Sequence, residues 1–116
     1  MMDKLIEEVK QLVEAEYGRS SARYGLTHNS DHEAFAVLLE EFQEAEDEVR
    51  FCGSAIERLW KRIKYDSHND LKMESLALIK TKALLGACEL IQVAAMAKKA
   101  SITICDRAAV DEFKGD

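Results

Sequence analysis

At 116 residues with no shift in composition along its length, the chain is expected to form one domain with room for a real core. Its formal charge of −6 argues against a general nucleic-acid binder, which would be basic, and no apolar run approaches the roughly 20 residues that span a bilayer. With no proline and only five glycines there is little to interrupt helix, so the expected fold class is all-α. The opening MMDKLIEEVK has acids where a signal peptide would have its apolar stretch, so a cytoplasmic protein is expected. The three cysteines, Cys52, Cys88 and Cys105, lack zinc-type spacing and are expected to pack as small apolar residues.

The first helix is expected from about Asp3 to Tyr17, where Leu5, Val9, Leu12 and Glu16 follow a 4-3-4 rhythm widened by Ile6 and Val13. Gly18 to Asn29 then reads as a polar connection of about a dozen residues, long enough to suggest function. It carries Arg19, Arg23 and Tyr24, which are either linker surface or groups able to close on a phosphate and a base. A second helix starts at Ser30-Asp31-His32-Glu33, a capping box with Ser30 as N-cap and Glu33 reaching back. Beyond it Phe35, Leu38, Phe42, Ala45, Val49, Cys52, Ile56, Leu59 and Ile63 recur in alternating steps of three and four, the rhythm of a long helix in a bundle. Asp66-Ser67-His68-Asn69 is turn and cap chemistry. A third helix, from about Leu71 to Lys99, is apolar on nearly all sides and therefore expected at the centre of its bundle. Lys98 and Lys99 would suit its C-terminal dipole. A shorter fourth helix is expected over Ser101–Phe113, followed by loose terminal residues. Trp60, near the hairpin tip, is expected in the core or in an oligomer contact.

Six acids and no base lie between Glu40 and Glu48. At about 100° per residue, Glu41, Glu44 and Glu48 share a narrow arc of the second helix, with Glu40 at its edge. On the third helix Glu89 is surrounded by Leu78, Leu85, Val93 and Met96 and points away from Lys80 and Lys98, with Gln92 one turn on. Glu44 lies as far before a point midway between residues 66 and 67 as Glu89 lies after it. If the chain folds back there, these carboxylates meet at one level, and like charges in an apolar surface call for a cation between them. Hard oxygen ligands select magnesium, or manganese, over zinc. The alternative is a solvated acidic stripe, with Glu89 paired to Lys82 on its own face.

Glu40-Glu41-Phe42-Gln43-Glu44 matches EExxE, and Glu89-Leu90-Ile91-Gln92 is close to ExxD. With the flanking segments His32–Glu41 and Ala87–Met96, residues 30 to 100 resemble the all-α nucleoside triphosphate pyrophosphohydrolases, the MazG-like and dimeric dUTPase-related superfamily, and phage-encoded MazG-like proteins in particular. The resemblance implies magnesium held by Glu40, Glu41, Glu44, Glu89 and Gln92, a triphosphate bound to the metal, and water activated for attack, with Glu41 and Glu44 as the catalytic carboxylates. The products would be a nucleoside monophosphate and pyrophosphate. Lys82 and Arg23 are candidate substrate contacts. Two features depart from the family pattern: Gln92 replaces an aspartate, supplying an oxygen without charge or basicity, and the segment between the motifs is longer. The expected architecture is a bundle built on a long antiparallel hairpin, completed by a homodimer or higher homo-oligomer. The rival expectation is a phage-derived MazG-like fold with weak or no turnover that serves in binding or assembly.

Overall fold

The computed structural model describes residues 2–114, with side chains described as far as residue 106. It is all-α, with three helices: α1 (Met2–Tyr24), α2 (Asp31–Lys64) and α3 (Asn69–Lys114). Among the described residues no helix is long and apolar enough to cross a membrane.

The element boundaries differ from the sequence expectation in two places. Helix α1 runs through Gly18 to Tyr24, so Arg19, Arg23 and Tyr24 are helical, and the connection to α2 shrinks to residues 25–30. Nothing in GRSSARY forbids helix, and the stop comes at Gly25, whose φ of 93° only glycine adopts freely. Its N–H caps the helix by donating to Ser21 O (2.9 Å). At the other end α3 passes through Lys99 and Ser101 unbroken, absorbing the expected fourth helix. Lys98 and Lys99 are therefore mid-helix residues with no dipole role. The expected loose tail concerns residues 115–116, outside the described residues.

The contacts group the chain into two units, one formed by the chain up to Phe42 with the chain from Leu90 onward, the other by Gln43–Glu89. In the first unit α1 lies on the later part of α3. Glu14 pairs with Lys98, Gln92 donates to Glu16 (2.7 Å), and Lys99 donates to Ser20 (3.4 Å). The α2 start is held by Thr103, whose hydroxyl accepts from His28 N–H (2.9 Å) and donates to Lys99 O (2.8 Å). Ser30 caps α2 as expected, accepting from Glu33 N–H at 3.0 Å. Glu33 does not close the reciprocal half of the box; its carboxylate accepts from Asn29 (3.1 Å) and faces His28.

The second unit is a hairpin in which α2 and α3 run antiparallel. Asp66 makes the turn at φ 48°, a left-handed value that aspartate tolerates better than most residues. His68 Nδ1 then accepts from Asp70 N–H (3.2 Å), capping α3. The α2 side of the seam is Ala45, Glu48, Cys52, Ala55, Leu59 and Arg62; the α3 side is Ser75, Ile79, Lys82, Gly86 and Glu89. Small residues let the backbones approach: a Cβ on Gly86 would stand 3.6 Å from the Glu48 Cβ. Both sides keep the 4-3 rhythm, but the seam is polar and small rather than large and apolar. Of the expected α2 stripe only Ala45, Cys52 and Leu59 lie in it, while Val49, Ile56 and Ile63 are about half exposed. Cys88 and Cys105 are exposed, against the expectation that they pack inside. Trp60 is also exposed, with Lys64 over its ring at 5.7 Å.

Gly53 sits mid-helix with nothing within 4 Å of a built Cβ. Gly53→Ala is expected to raise the unfolding free energy by about 1 kcal/mol, read from urea denaturation.

Candidate metal centre

The seam of the Gln43–Glu89 hairpin sets the electrostatics of the acidic cluster. Counting along both helices from the turn brings Glu48 opposite Gly86 and Cys52 opposite Ile79, whose carbonyl lies 3.8 Å from the cysteine sulfur. The same register brings Glu44 to Glu89. Lys82, one heptad before Glu89 on the same seam, closes on Glu48 (3.4 Å) and lies 5.1 Å from the Phe51 ring centroid. The pairing of Lys82 with Glu89 that the stripe alternative required is not made; Lys82 is committed to Glu48.

Glu89 is half-buried and faces Glu44. Burial pushes its carboxyl above the usual glutamate value, a hydrogen bond shared with Glu44 pushes the same way, and the charges of Glu44 and Glu48 add to it. Each of these effects favours the neutral Glu89 carboxyl over the charged one. Glu41, one turn before Glu44 on the unbroken α2, completes a triad: each of Glu41, Glu44 and Glu89 offers a carboxylate oxygen, and these oxygens lie within 4.8 Å of one another.

These donors fit a hard divalent cation, being carboxylates with no thiolate or imidazole among them. Oxygens on opposite sides of a magnesium ion stand about 4.2 Å apart. Oxygens already within 4.8 Å reach that spacing by side-chain adjustment alone. The arrangement can thus concentrate negative charge and collapse around a cation, whose binding would compete with protonation of Glu89.

The remaining sequence candidates fall outside the triad. Glu40 is exposed on α2. Gln92, one turn beyond Glu89, is half-buried, and its amide nitrogen donates to Glu16, which also pairs with Arg19 (2.5 Å). Arg23 is exposed on α1 and sits 5.3 Å from the Tyr24 ring.

Sequence reasoning passed over two buried polar residues. His28, read as a loop residue, and Lys99, read as a dipole partner, are 9% and 3% exposed. The signal for Lys99 was its place three residues after Met96 and four after Ala95, on the buried face of α3. No comparable pattern marks His28, which is buried by a hydrogen bond to Thr103, distant in sequence. Comparison with known proteins adds no family: no family model, curated protein or solved structure matches this chain.

Proposed function

We propose that this protein is a magnesium-dependent nucleotide pyrophosphohydrolase, cleaving a nucleoside triphosphate to a monophosphate and pyrophosphate. The observation that carries the reading is the meeting of Glu41, Glu44 and Glu89 around one point, with Lys82 diverted to Glu48. The similarity of Glu40–Glu44 and Glu89–Gln92 to the paired acidic motifs of the MazG-like superfamily supports it.

A divalent cation held there would supply Lewis acidity toward a phosphoryl oxygen and accommodate charge that the triphosphate brings. Glu89 anchors the site from within the seam, where its position is fixed by packing. Glu44 and Glu41, one turn apart on α2, set the opposite wall and are assigned the orientation of the attacking water. Lys82 is assigned to neutralising Glu48 and holding the seam in register rather than to substrate. Manganese would satisfy the same donor set. The functional form is a homodimer or higher homo-oligomer, because the hairpin leaves long apolar side chains exposed on both helices.

Gln92 favours a second reading, a MazG-like protein that binds nucleotide or assembles without efficient turnover. Its amide nitrogen is tied to Glu16, and it carries no charge for a cation. The test is incubation with a panel of nucleoside triphosphates and magnesium, following pyrophosphate. Release above the metal-free control supports the hydrolase, whereas magnesium binding without release supports the second reading. Absence of both removes the metal centre.

A further inference from the structure

The first unit contains a cavity of about 440 Å³, within the about 300–1,000 Å³ range of small-molecule sites. It is lined by residues of α1, of the 25–30 connection, of the first turns of α2 and of α3. Its charged groups are unequally committed. Arg19 is paired with Glu16 (2.5 Å), and Glu33 is held by Asn29 (3.1 Å). Lys99 is different: it is 3% exposed, and its ammonium has Ser20 Oγ at 3.4 Å and the Tyr24 ring at 6.0 Å, neither of which carries formal charge. A buried cation is costly unless a negative group joins it. Arg23, 5.3 Å from the Tyr24 ring centroid, brings a second cation to the cavity lining.

His28 supplies the second observation. Its side chain is 5% exposed, it lines the cavity, and its Nε2 is buried without a hydrogen-bond partner. Nδ1 faces the Glu33 carboxylate at 3.6 Å, which places the ring proton on Nδ1 and leaves Nε2 as an acceptor. Burial, then the Lys99 charge, hold the imidazole below its usual value against the pull of Glu33, so it stays neutral near pH 7. An acceptor shut away without a donor is costly. It is suited to a ligand hydroxyl or amino group. Tyr24 offers a ring face, and Val37 and Met96 offer apolar walls.

We propose that this cavity binds a nucleoside monophosphate moiety, its phosphate on Lys99 and Arg23, its planar base against Tyr24, and one of its hydroxyl or amino donors on His28 Nε2. The choice of a nucleotide rests on the pyrophosphohydrolase reading; the anion and donor chemistry of the cavity does not. Glu41 also lines this cavity.

The test is calorimetric titration of the full chain in EDTA-containing buffer, so that no metal takes part. The probes are ribo- and deoxyribonucleoside monophosphates and inorganic phosphate. At least one monophosphate should bind about 10-fold or more tighter than inorganic phosphate, the added base and donor contacts amounting to at least one decade in affinity. Lys99→Met keeps the apolar stem in its buried place and should weaken both probes by about 10-fold or more. Arg23→Gln, at an exposed position that folding does not need, should weaken both by a smaller factor. His28→Phe should weaken the nucleotide and leave inorganic phosphate unchanged. Should Lys99→Met fail to fold, the Arg23 and His28 variants decide. Equal affinity for nucleotide and inorganic phosphate, no binding of either, or variants that bind like the original chain would each overturn the proposal. Nucleotide binding in EDTA by a protein that releases no pyrophosphate with magnesium would refute the hydrolase and leave this site standing. Magnesium-dependent release that is indifferent to Lys99, Arg23 and His28 would do the reverse.

Discussion

Glu89→Gln is expected to lower magnesium-dependent pyrophosphate release by about 10²-fold or more, the scale of losing a group that stabilises charge in a transition state. The amide keeps the size and one oxygen of the carboxyl but removes the negative charge that holds a cation in the seam. The same substitution has a signature that needs no activity. In the cation-free protein the Glu89 carboxyl is raised by burial, by its hydrogen bond with Glu44 and by the Glu44 and Glu48 charges. For an acid with a raised value the folded state prefers the protonated form. The associated stability is therefore fully present below the ordinary carboxylate range and is lost as pH rises through the raised value. Thermal melts in EDTA should show stability falling across that window relative to Glu89→Gln, which has no proton to lose. Magnesium should restore the original chain above the window and leave the glutamine variant unmoved, and its binding should tighten with pH as the proton is displaced. Melts that coincide for the two proteins at every pH, with and without magnesium, would remove Glu89 from any metal centre.

The double substitution Ile56→Glu with Ile63→Glu is expected to convert an oligomer into monomers. On α2 Val49, Ile56 and Ile63 recur every seventh residue just beside the hairpin seam, and on α3 Leu71, Leu78 and Leu85 do the same. The fully buried residues of this hairpin are small, namely Ala45, Ala55, Ser75 and Gly86. Two helices meeting over such residues bury too little to hold the hairpin alone, and a heptad row of exposed branched side chains is what a second hairpin would cover. Burying an isoleucine contributes about 1.5–3 kcal/mol. Losing two per chain should shift dissociation by more than about 100-fold before the cost of the inserted charges. Sedimentation equilibrium of the original chain and the double variant reads this directly. A monomeric original chain would overturn the expectation. The triad residues are untouched by these substitutions, so magnesium binding measured on the monomer also reports whether the site needs the partner.

Much of this architecture was legible in the chain. The turn at Asp66–Asn69 and the meeting of Glu44 with Glu89 follow from hairpin symmetry, because two antiparallel helices of equal rise keep equidistant residues level. What periodicity could not decide was which half of the α2 stripe the chain covers for itself. Val49, Ile56 and Ile63 look like core because they are large and apolar, yet α3 presents Ser75, Lys82, Gly86 and Glu89 and packs against their smaller neighbours. Hydrophobicity reports the wish to leave water, not the partner that permits it. The end of α1 was misplaced for a different reason. Polar residues from Gly18 to Tyr24 resemble a loop, but each tolerates helix, and the stop is set by the backbone of Gly25. The cavity was invisible because its two key residues, His28 and Lys99, are 71 positions apart and are brought together through Thr103.

The Glu48–Lys82 pair has a mechanical consequence. The fully buried residues of the seam are alanine, serine and glycine, which interlock little and offer α3 few obstacles to sliding along α2. The Glu48–Lys82 pair, with Arg62 and Glu74 (3.7 Å) nearer the turn, works as a detent: displacement by a turn in either direction strands an ammonium and a carboxylate in a poorly hydrated groove. The carboxyl groups one heptad away are thereby kept abreast of each other, a task that the smooth neighbours cannot perform.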